Sequence, residues 1–212
     1  MTALLAGASG LIGREVARHW TGPGPLHLLV RRTQPAAQPL HRVHVVDYAA
    51  LPPLPKAELA LCCLGTTIKV AGSQEAFRAV DHTAVLAFAR AAQRAGVKRF
   101  AVVSALGASL KSPTFYNRVK GEMEAELATL GFVSLVIARP SLLAGDRASL
   151  GQAARPAERL TLALTVPFVP FIPKKWRPIQ AATVARAMLR ALSQPIGSVQ
   201  VLESAALQDL GA

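Results

Sequence analysis

The chain alternates short, mostly apolar runs with longer stretches in which apolar residues recur with helical spacing. Apolar runs with few polar interruptions are typical of parallel strands that helices cover on both faces. The pattern predicts strands at Ala3–Leu5, Leu26–Val30, Val43–Val46, Leu59–Cys63, Phe100–Val103, Ser134–Ala138 and Val199–Leu202. It predicts helices at Leu11–Trp20, Gln74–Ala95, Thr114–Leu130, Arg155–Leu164 and Ala181–Leu192. This alternation indicates an α/β fold with a doubly wound parallel sheet of about seven strands and flanking helices.

The pattern changes after about Arg139, where the apolar runs become irregular and prolines become frequent. Five of them fall between residues 156 and 178: Pro156, Pro167, Pro170, Pro173 and Pro178. A length of 212 residues is ordinary for one domain. We therefore predict a single domain over residues 1–212, with a small lobe built from about residues 140–180.

The large net charge of the chain does not by itself indicate its partner. The net charge is +12, which requires nucleic acid to be considered as a partner. The basic residues are scattered, however, and aromatic residues make up only 5% of the chain. Because stacking platforms are scarce, nucleic-acid binding is disfavoured, and an anionic small molecule accounts for part of the charge equally well.

Three features indicate the environment. Cys62 and Cys63 are neighbours in a predicted strand and point to opposite faces, so neither a disulfide nor a metal site is expected, which suits the cytoplasm. The glycine-rich segment starts at Gly7 without a basic region before it, so no signal peptide is expected. The apolar stretch Leu160–Pro173 is broken by prolines and too short to span a bilayer.

A glycine-rich segment joins the first predicted strand to the first helix: Gly7-Ala8-Ser9-Gly10-Leu11-Ile12-Gly13. This spacing serves dinucleotide binding, since Gly7 permits the turn and Gly10 lets the backbone approach a pyrophosphate. Gly13 lets the helix pack close to the strand, and the N–H groups at the helix start bind phosphate charge. A tight turn without a ligand is the competing interpretation, which the strand before and the helix after disfavour.

The ends of the next strands bear on which dinucleotide binds. An acidic residue about 20 residues after the glycines would mark NAD, but Arg31 and Arg32 stand there. Guanidinium groups bind a 2′-phosphate, so NADP(H) is favoured over NAD(H), unless the two arginines simply lie on the surface. Asp47 would either bond the adenine amino group or cap its strand. Gly65, followed by Thr66, would either lie against the dinucleotide or form a plain turn.

Tyr116 and Lys120 are four residues apart on a predicted helix, which we expect to begin with Ser112 as N-cap and Pro113 at its first position. Residues at this spacing lie one above the other. A phenol exchanges protons poorly at neutral pH, and a nearby ammonium lowers its pKa. Tyr116 would then act as general acid/base, and Lys120 would also bond ribose hydroxyls. An exposed helix pair with no function is the alternative.

These segments together resemble the short-chain dehydrogenase/reductase superfamily, and most closely its atypical, epimerase-like branch, which includes the Tat-interacting-protein-like oxidoreductases. The matching segments keep the family order over about residues 3–145. They are Gly7–Gly13, Leu64-Gly65-Thr66-Thr67, Val80-Asp81-His82, Ala95-Gly96-Val97, Val103–Ala108, Tyr116–Glu122 and Arg139-Pro140. Pro178–Leu192 is also similar to that branch's last helix.

The resemblance implies a Rossmann core and an NADP(H) site. The implied cofactor-binding residues are Gly7–Gly13, Arg31, Arg32, Asp47, Leu64, Gly65, Thr66, Thr67, Lys120, Arg139 and Pro140. It also implies catalysis by Ser104, Tyr116 and Lys120. One position departs from the family, because Ala105 stands where members often carry a second serine that assists catalysis. Ser104, or else Ser109 or Ser112, would then supply the hydroxyl.

We therefore expect an NADP(H)-dependent oxidoreductase or epimerase-like protein that acts on a small carbonyl or hydroxyl substrate by hydride transfer. The apolar segment Leu162–Ile172 would shape the substrate pocket. The alternative is a dinucleotide-binding, redox-sensing regulator that binds a protein partner with little or no turnover.

Two further hypotheses concern association. Peripheral membrane contact would use Phe168, Val169, Phe171 and Ile172 with the flanking Lys174 and Lys175. A homodimer is the second hypothesis.

Overall fold

The computed structural model describes residues 1–144, 173–194, 197 and 199–212. Within them the strands are β1 (Ala3–Ala6), β2 (Leu26–Val30), β3 (His41–Val45), β4 (Leu59–Cys62), β5 (Arg99–Val103), β6 (Ser134–Arg139), β7 (Leu143–Ala144), β8 (Ile179–Gln180) and β9 (Val199–Glu203). The helices are α1 (Leu11–Arg18), α2 (Ile68–Ala71), α3 (Gln74–Arg78), α4 (Val85–Arg94), α5 (Phe115–Thr129), α6 (Ala181–Ser193) and α7 (Ser204–Gly211). A π-helical segment, Ala79–Ala84, joins α3 to α4, and Lys174–Trp176 forms a 3-10 turn.

Seven strands form one sheet in the order β3-β2-β1-β4-β5-β6-β9, and each neighbouring pair is parallel. The predicted doubly wound parallel sheet is thereby confirmed. Because the strands are parallel, their carboxyl ends lie at one edge of the sheet. The strand order reverses between β1 and β4, which is where sheets of this kind leave a crevice for a ligand.

Two apolar cores lie on opposite faces of the sheet. On one face α1, α6 and α7 pack against the sheet through residues such as Val16, Met188 and Leu207, all fully buried. On the other face α4 and α5 contribute residues such as Phe88 and Met123. The structure thus has three layers. Within the described ranges no helix has the length and apolar character needed to cross a membrane.

The strand predictions are close to the structure, and the differences fall at strand ends. The strand β2 has the predicted bounds, whereas β3 begins at His41 rather than Val43. The sequence pattern missed this start because His41 and Arg42 are polar, although His41 is only 2% exposed. Four of the strands and helices were not predicted at all: the short helix α2, the two-residue strands β7 and β8, and the last helix α7.

The helix predictions need two corrections. The stretch Gln74–Ala95 is not one regular α-helix, since the π-helical segment interrupts it. The helix α5 begins at Phe115 with Thr114 as its N-cap, so Ser112 and Pro113 precede it. The hydroxyl of Ser112 instead accepts a hydrogen bond from the Thr114 N–H at 3.3 Å, which forms a turn just before the helix.

Much of the predicted lobe at residues 140–180 lies outside the described residues. So do the predicted helix Arg155–Leu164, the whole substrate-pocket segment Leu162–Ile172 and the apolar residues proposed for membrane contact. The described part of the lobe pairs β7 with β8 in a small parallel sheet. The backbone N–H of Ile179, the first residue of β8, donates to the carbonyl of Leu142, the residue before β7, at 2.9 Å.

Candidate functional site

A cavity of about 450 Å³ opens at the carboxyl edge of the sheet, at the crevice between β1 and β4. Segments that follow several strands line it, as expected for a site at a switch in strand order. The lining residues are Gly10, Leu11, Ile12, Cys63, Leu64, Gly65, Thr66, Thr67, Val70, Asp81, Val103, Ser104, Ala105, Leu106, Tyr116, Lys120, Pro140, Ser141, Leu142 and Leu143. Many of the predicted site residues therefore share one cavity.

The glycine segment forms a tight connection from β1 to α1. Gly7 has a φ of +80°, a conformation that favours glycine, and a Cβ there would lie 2.5 Å from the carbonyl oxygen of Cys63. A Cβ on Gly13 would lie 2.1 Å from the carbonyl oxygen of Gly7. The helix α1 can therefore approach β1 this closely only with glycine at residue 13. Ala8 is buried in the core and Ser9 is exposed.

Gly10 has a different role in the segment. It is the N-cap of α1, and a Cβ there would meet the carbonyl oxygen of Gly7 at 3.4 Å, which is ordinary contact. The fold by itself therefore tolerates a side chain at residue 10, but that side chain would add bulk at the cavity. The start of α1, with N–H groups that lack carbonyl partners within the helix, is a favourable place for phosphate charge.

The residues predicted to select the dinucleotide lie away from this cavity. Arg31 and Arg32 follow β2 and are exposed, and neither lines the cavity. Asp47 follows β3, where its Oδ1 accepts a hydrogen bond from the Ala49 N–H at 2.9 Å. The strand-end cap, one of the two interpretations of Asp47, is therefore present in the structure.

Tyr116 and Lys120 both line the cavity from the first turns of α5. The Lys120 ammonium is 2.8 Å from Oδ1 of Asp81 and donates to the carbonyl of Val103 at 3.3 Å. Tyr116 lies beside Phe77, with ring centroids 5.1 Å apart. Lys120 is only 2% exposed, so the pair is not the exposed helix pair considered as the alternative.

Electrostatics at Lys120 favour its charged form. Burial alone lowers the pKa of the ammonium, but the carboxylate of Asp81 and then the phenol of Tyr116 more than offset it. The pKa of Lys120 therefore stands above its usual value. Since the coupling is mutual, the Lys120 ammonium favours the phenolate form of Tyr116.

Ser104 and Ala105 follow β5 and line the same cavity. The Ser104 side chain is 4% exposed, and its Oγ has no hydrogen-bond partner among the described residues. A buried hydroxyl without a partner is costly, so its position at a cavity suggests a ligand atom as partner. Ser109 and Ser112 do not line the cavity, and each instead accepts a hydrogen bond from a nearby backbone N–H.

Arg139 does not reach the cavity, although the next residue, Pro140, lines it. Its guanidinium bonds both carboxylate oxygens of Glu124 on α5 and one oxygen of Glu203 on β9. The structure thus places Arg139 in an ion-pair network that ties together β6, α5 and β9, and not beside the cofactor residues with which it was grouped.

Asp81 is the main polar residue of the cavity whose role the residue patterns did not reveal. It appeared only as part of the Val80-Asp81-His82 match. The available signal was its spacing, because Asp81 is four residues after Phe77 and four before Val85, both fully buried. A carboxylate on the apolar face of a helix requires a partner, which here is Lys120.

Comparison with known proteins decides the family. The model of a family described as NAD(P)H-binding matches residues 7–156 of the chain. The rat protein HTATIP2 is 33% identical over 224 aligned positions, which cover 99% of this chain and 89% of the rat protein. This chain belongs to the NAD(P)H-binding family. The mitochondrial protein FMP52 of Eremothecium gossypii is a further relative, 35% identical over 155 positions that cover 69% of this chain and 68% of that protein.

Solved structures of other proteins share the fold. The structure of MoeE5 in complex with UDP-glucuronic acid and NAD has a TM-score of 0.72 at 19% identity, covering 96% of this chain and 76% of MoeE5. The oxidoreductase ylbE from Lactococcus lactis has a TM-score of 0.65 at 16% identity, covering 99% and 96% of the two chains. The family model and the match to HTATIP2 confirm the family resemblance and an NAD(P)H-binding domain, and the solved structures confirm the fold.

Proposed function

We propose that the protein is an NADP(H)-dependent oxidoreductase or epimerase-like enzyme acting on a small carbonyl or hydroxyl substrate. One observation carries the proposal: Tyr116, Lys120 and Ser104 line the same cavity as the glycine segment. A proton donor-acceptor, the ammonium that tunes it and a hydroxyl without a partner are therefore available where the dinucleotide is expected.

The residues present fit a dinucleotide. The segment Gly10–Ile12 offers backbone and a helix start to the pyrophosphate, and Gly10 has no Cβ to occupy that space. The loop Leu64–Thr67 lies on the other side of the crevice and would contact the dinucleotide through its backbone. When bound, the dinucleotide supplies or accepts a hydride.

The protein side of the reaction is a proton transfer. In the reducing direction, Tyr116 donates its phenolic proton to the substrate oxygen, and in the oxidising direction it takes that proton back. Lys120 stabilises the phenolate that this step leaves and is suited to bond ribose hydroxyls. Ser104 donates a hydrogen bond to the same substrate oxygen, where negative charge develops.

The preference for NADP(H) over NAD(H) forms part of the proposal. Arg31 and Arg32 follow β2 with exposed side chains, at the place in the chain where an acidic residue would mark NAD. Their exposure leaves both guanidinium groups accessible to an anion of the cofactor.

A regulator that binds the dinucleotide without turnover is the second candidate. Ala105 favours it, because this buried residue lines the cavity at the position where relatives often carry the assisting serine. The two candidates agree on cofactor binding and differ in turnover.

The test is NADPH oxidation with a panel of aldehydes and ketones, followed by absorbance at 340 nm, with NADPH affinity measured by calorimetry. We expect turnover by the unmutated protein, and a loss of most of kcat in Tyr116→Phe with nearly unchanged NADPH affinity. Normal turnover in Tyr116→Phe would refute the acid/base role. Tight NADPH binding without turnover across the panel would favour the regulator.

A further inference from the structure

The cavity has two ends, set by the order of the strands around it. The glycine segment after β1 forms one end, where the pyrophosphate is proposed to lie. The strands β5 and β6 lie on the far side of β4 from β1, so the segments that follow them form the other end. Leu106 follows β5, Leu142 follows β6, and Val70 of α2 belongs to the segment after β4. All three line the cavity, and we call the part that they line the apolar end.

The apolar end borders the groups proposed to react. Ser104 and Leu106 follow the same strand, and Tyr116 lines the cavity from α5. Between the two stands Ala105, which contributes a methyl group to the lining where relatives often carry a hydroxyl. A substrate whose oxygen contacts Tyr116 and Ser104 therefore has the apolar end beside its remaining atoms.

Two side chains of the apolar end expose much of their surface. Val70 is 59% exposed and Leu142 is 50% exposed. Large apolar side chains that are exposed beside a cavity often mark a place where an apolar ligand binds. A ligand that covers them gains free energy in proportion to the apolar area removed from water.

The charged side chains that line the cavity neutralise each other. Among the described lining residues they are Asp81 and Lys120, with 2.8 Å between Oδ1 of the aspartate and the ammonium of the lysine. Both residues are almost fully buried. A carboxylate or phosphate on the substrate would therefore lose its water without gaining a free cation of the cavity as partner, which is costly.

Basic residues on the neighbouring helices do not add a charge to the apolar end. Arg78 of α3 forms an ion pair with Glu122 of α5. The guanidinium of Arg118 donates to two backbone carbonyls in the turn before α5. Lys69 is exposed, and none of these three basic residues lines the cavity. The net charge of +12 is thus not directed at the proposed substrate position.

We propose that the substrate is an uncharged, mainly apolar aldehyde or ketone, or the corresponding alcohol, with no carboxylate or phosphate near the reacting carbon. This inference rests on the proposed function and names its substrate class. The Val70, Leu106 and Leu142 side chains contact the carbon chain of the substrate, while Tyr116 and Ser104 contact its oxygen. Specificity arises because a charged group at the apolar end has no partner there.

The experiment compares two aldehydes of the same shape and opposite character, 4-methylpentanal and 4-oxobutanoate. The first ends in an isopropyl group and the second in a carboxylate. With NADPH as reductant, we expect kcat/KM to be at least about tenfold higher for 4-methylpentanal. The positive charge of the whole chain attracts anions at long range, so a preference for the neutral aldehyde would arise in the cavity itself.

A charge placed at the apolar end should weaken this preference. In Leu142→Arg the ratio of the two kcat/KM values should fall about three- to tenfold, because apolar contact is lost and a guanidinium faces the carboxylate. The matched control is Leu110→Arg, since Leu110 is likewise a half-exposed leucine, at 58%, but does not line the cavity. It should leave the ratio unchanged. An equal fall in both variants would overturn the assignment of the apolar end.

A binding measurement separates this inference from the proposed turnover. The corresponding alcohols, 4-methylpentan-1-ol and 4-hydroxybutanoate, cannot be reduced by NADPH, so their Kd values for the protein saturated with NADPH are measured by ligand-observed NMR. We expect the neutral alcohol to bind at least about tenfold more tightly. Equal or tighter binding of 4-hydroxybutanoate, or no binding of the neutral alcohol, would overturn the inference, as would an equal or higher kcat/KM for 4-oxobutanoate. Preferential binding of the neutral alcohol without turnover of either aldehyde would support the inference and count against the proposed activity alone.

Discussion

The two glycines that flank the start of α1 should separate fold stability from cofactor binding. A Cβ on Gly13 would lie 2.1 Å from the carbonyl oxygen of Gly7 and 2.9 Å from Cα of Ala8, against 3.4–4 Å for ordinary contact. Both neighbours are backbone atoms, so the clash is relieved only if α1 moves away from the turn. A Cβ on Gly10 meets the same carbonyl oxygen at 3.4 Å and needs no such movement.

Gly13→Ala should therefore destabilise the chain by about 1–3 kcal/mol, the usual cost of overpacking. For a chain of this length that corresponds to a fall in Tm of roughly 2–12 °C. Gly10 has φ −79° and ψ 170°, which alanine adopts without strain. Gly10→Ala should change the free energy of unfolding by less than about 1 kcal/mol.

For cofactor affinity the order of the two variants should be reversed, with the larger effect in Gly10→Ala. A methyl group there occupies the space proposed for the pyrophosphate, so we expect NADPH to bind at least about tenfold more weakly, or about 1.4 kcal/mol. Thermal unfolding and calorimetric titration of the same two samples provide the assay. A Gly10→Ala variant that binds NADPH as tightly as the unmutated chain would refute the placement of the pyrophosphate, and an unchanged Tm in Gly13→Ala would refute the packing argument.

Three other predictions use single substitutions or pH. Arg31→Ala should weaken NADPH binding and leave NADH binding nearly unchanged, which calorimetry with both cofactors measures; equal losses for the two would count against a 2′-phosphate contact. Ser104→Ala should lower kcat/KM about 100-fold without weakening NADPH binding, whereas Ala105→Ser should raise turnover if the missing serine limits the rate. Burial, and after it the neighbouring His44, lowers the pKa of His27. The folded chain therefore favours the neutral form of His27. The contribution of neutral His27 to the free energy of unfolding is present above about pH 6.5 and is lost as the pH falls through the lowered pKa. His27→Gln should flatten that loss in Tm measured from pH 7 to pH 5.

The sequence predicts the sheet well because each strand is a local apolar run, and the glycine segment because its turn is local too. The Tyr116–Lys120 pair is equally predictable from the sequence, since helical spacing brings the two side chains together. The contacts of residues whose partners are distant in the sequence could not be predicted. Arg139 bonds Glu203, 64 residues away, and nothing around Arg139 in the sequence indicates this contact.

Asp81 shows a second limit of sequence reasoning. Helical periodicity places Asp81 on the apolar face of a regular helix between Phe77 and Val85, where a carboxylate has no evident purpose. The π-helical segment and the buried partner on α5 give it one. The start of α5 illustrates the same point on a smaller scale, because Ser112 and Thr114 are both suitable caps and only the fold selects Thr114.

The central claim, hydride transfer with Tyr116 as proton donor, is tested most directly by isotope transfer. NADPH carrying deuterium at the transferable C4 position is incubated with the protein and a carbonyl substrate from the panel, and the alcohol product is analysed by mass spectrometry. We expect product one mass unit heavier from the unmutated protein, and a loss of most of this product with Tyr116→Phe at matched NADPH occupancy. Saturating NADPH binding by the unmutated protein without deuterium in any product would contradict the claim.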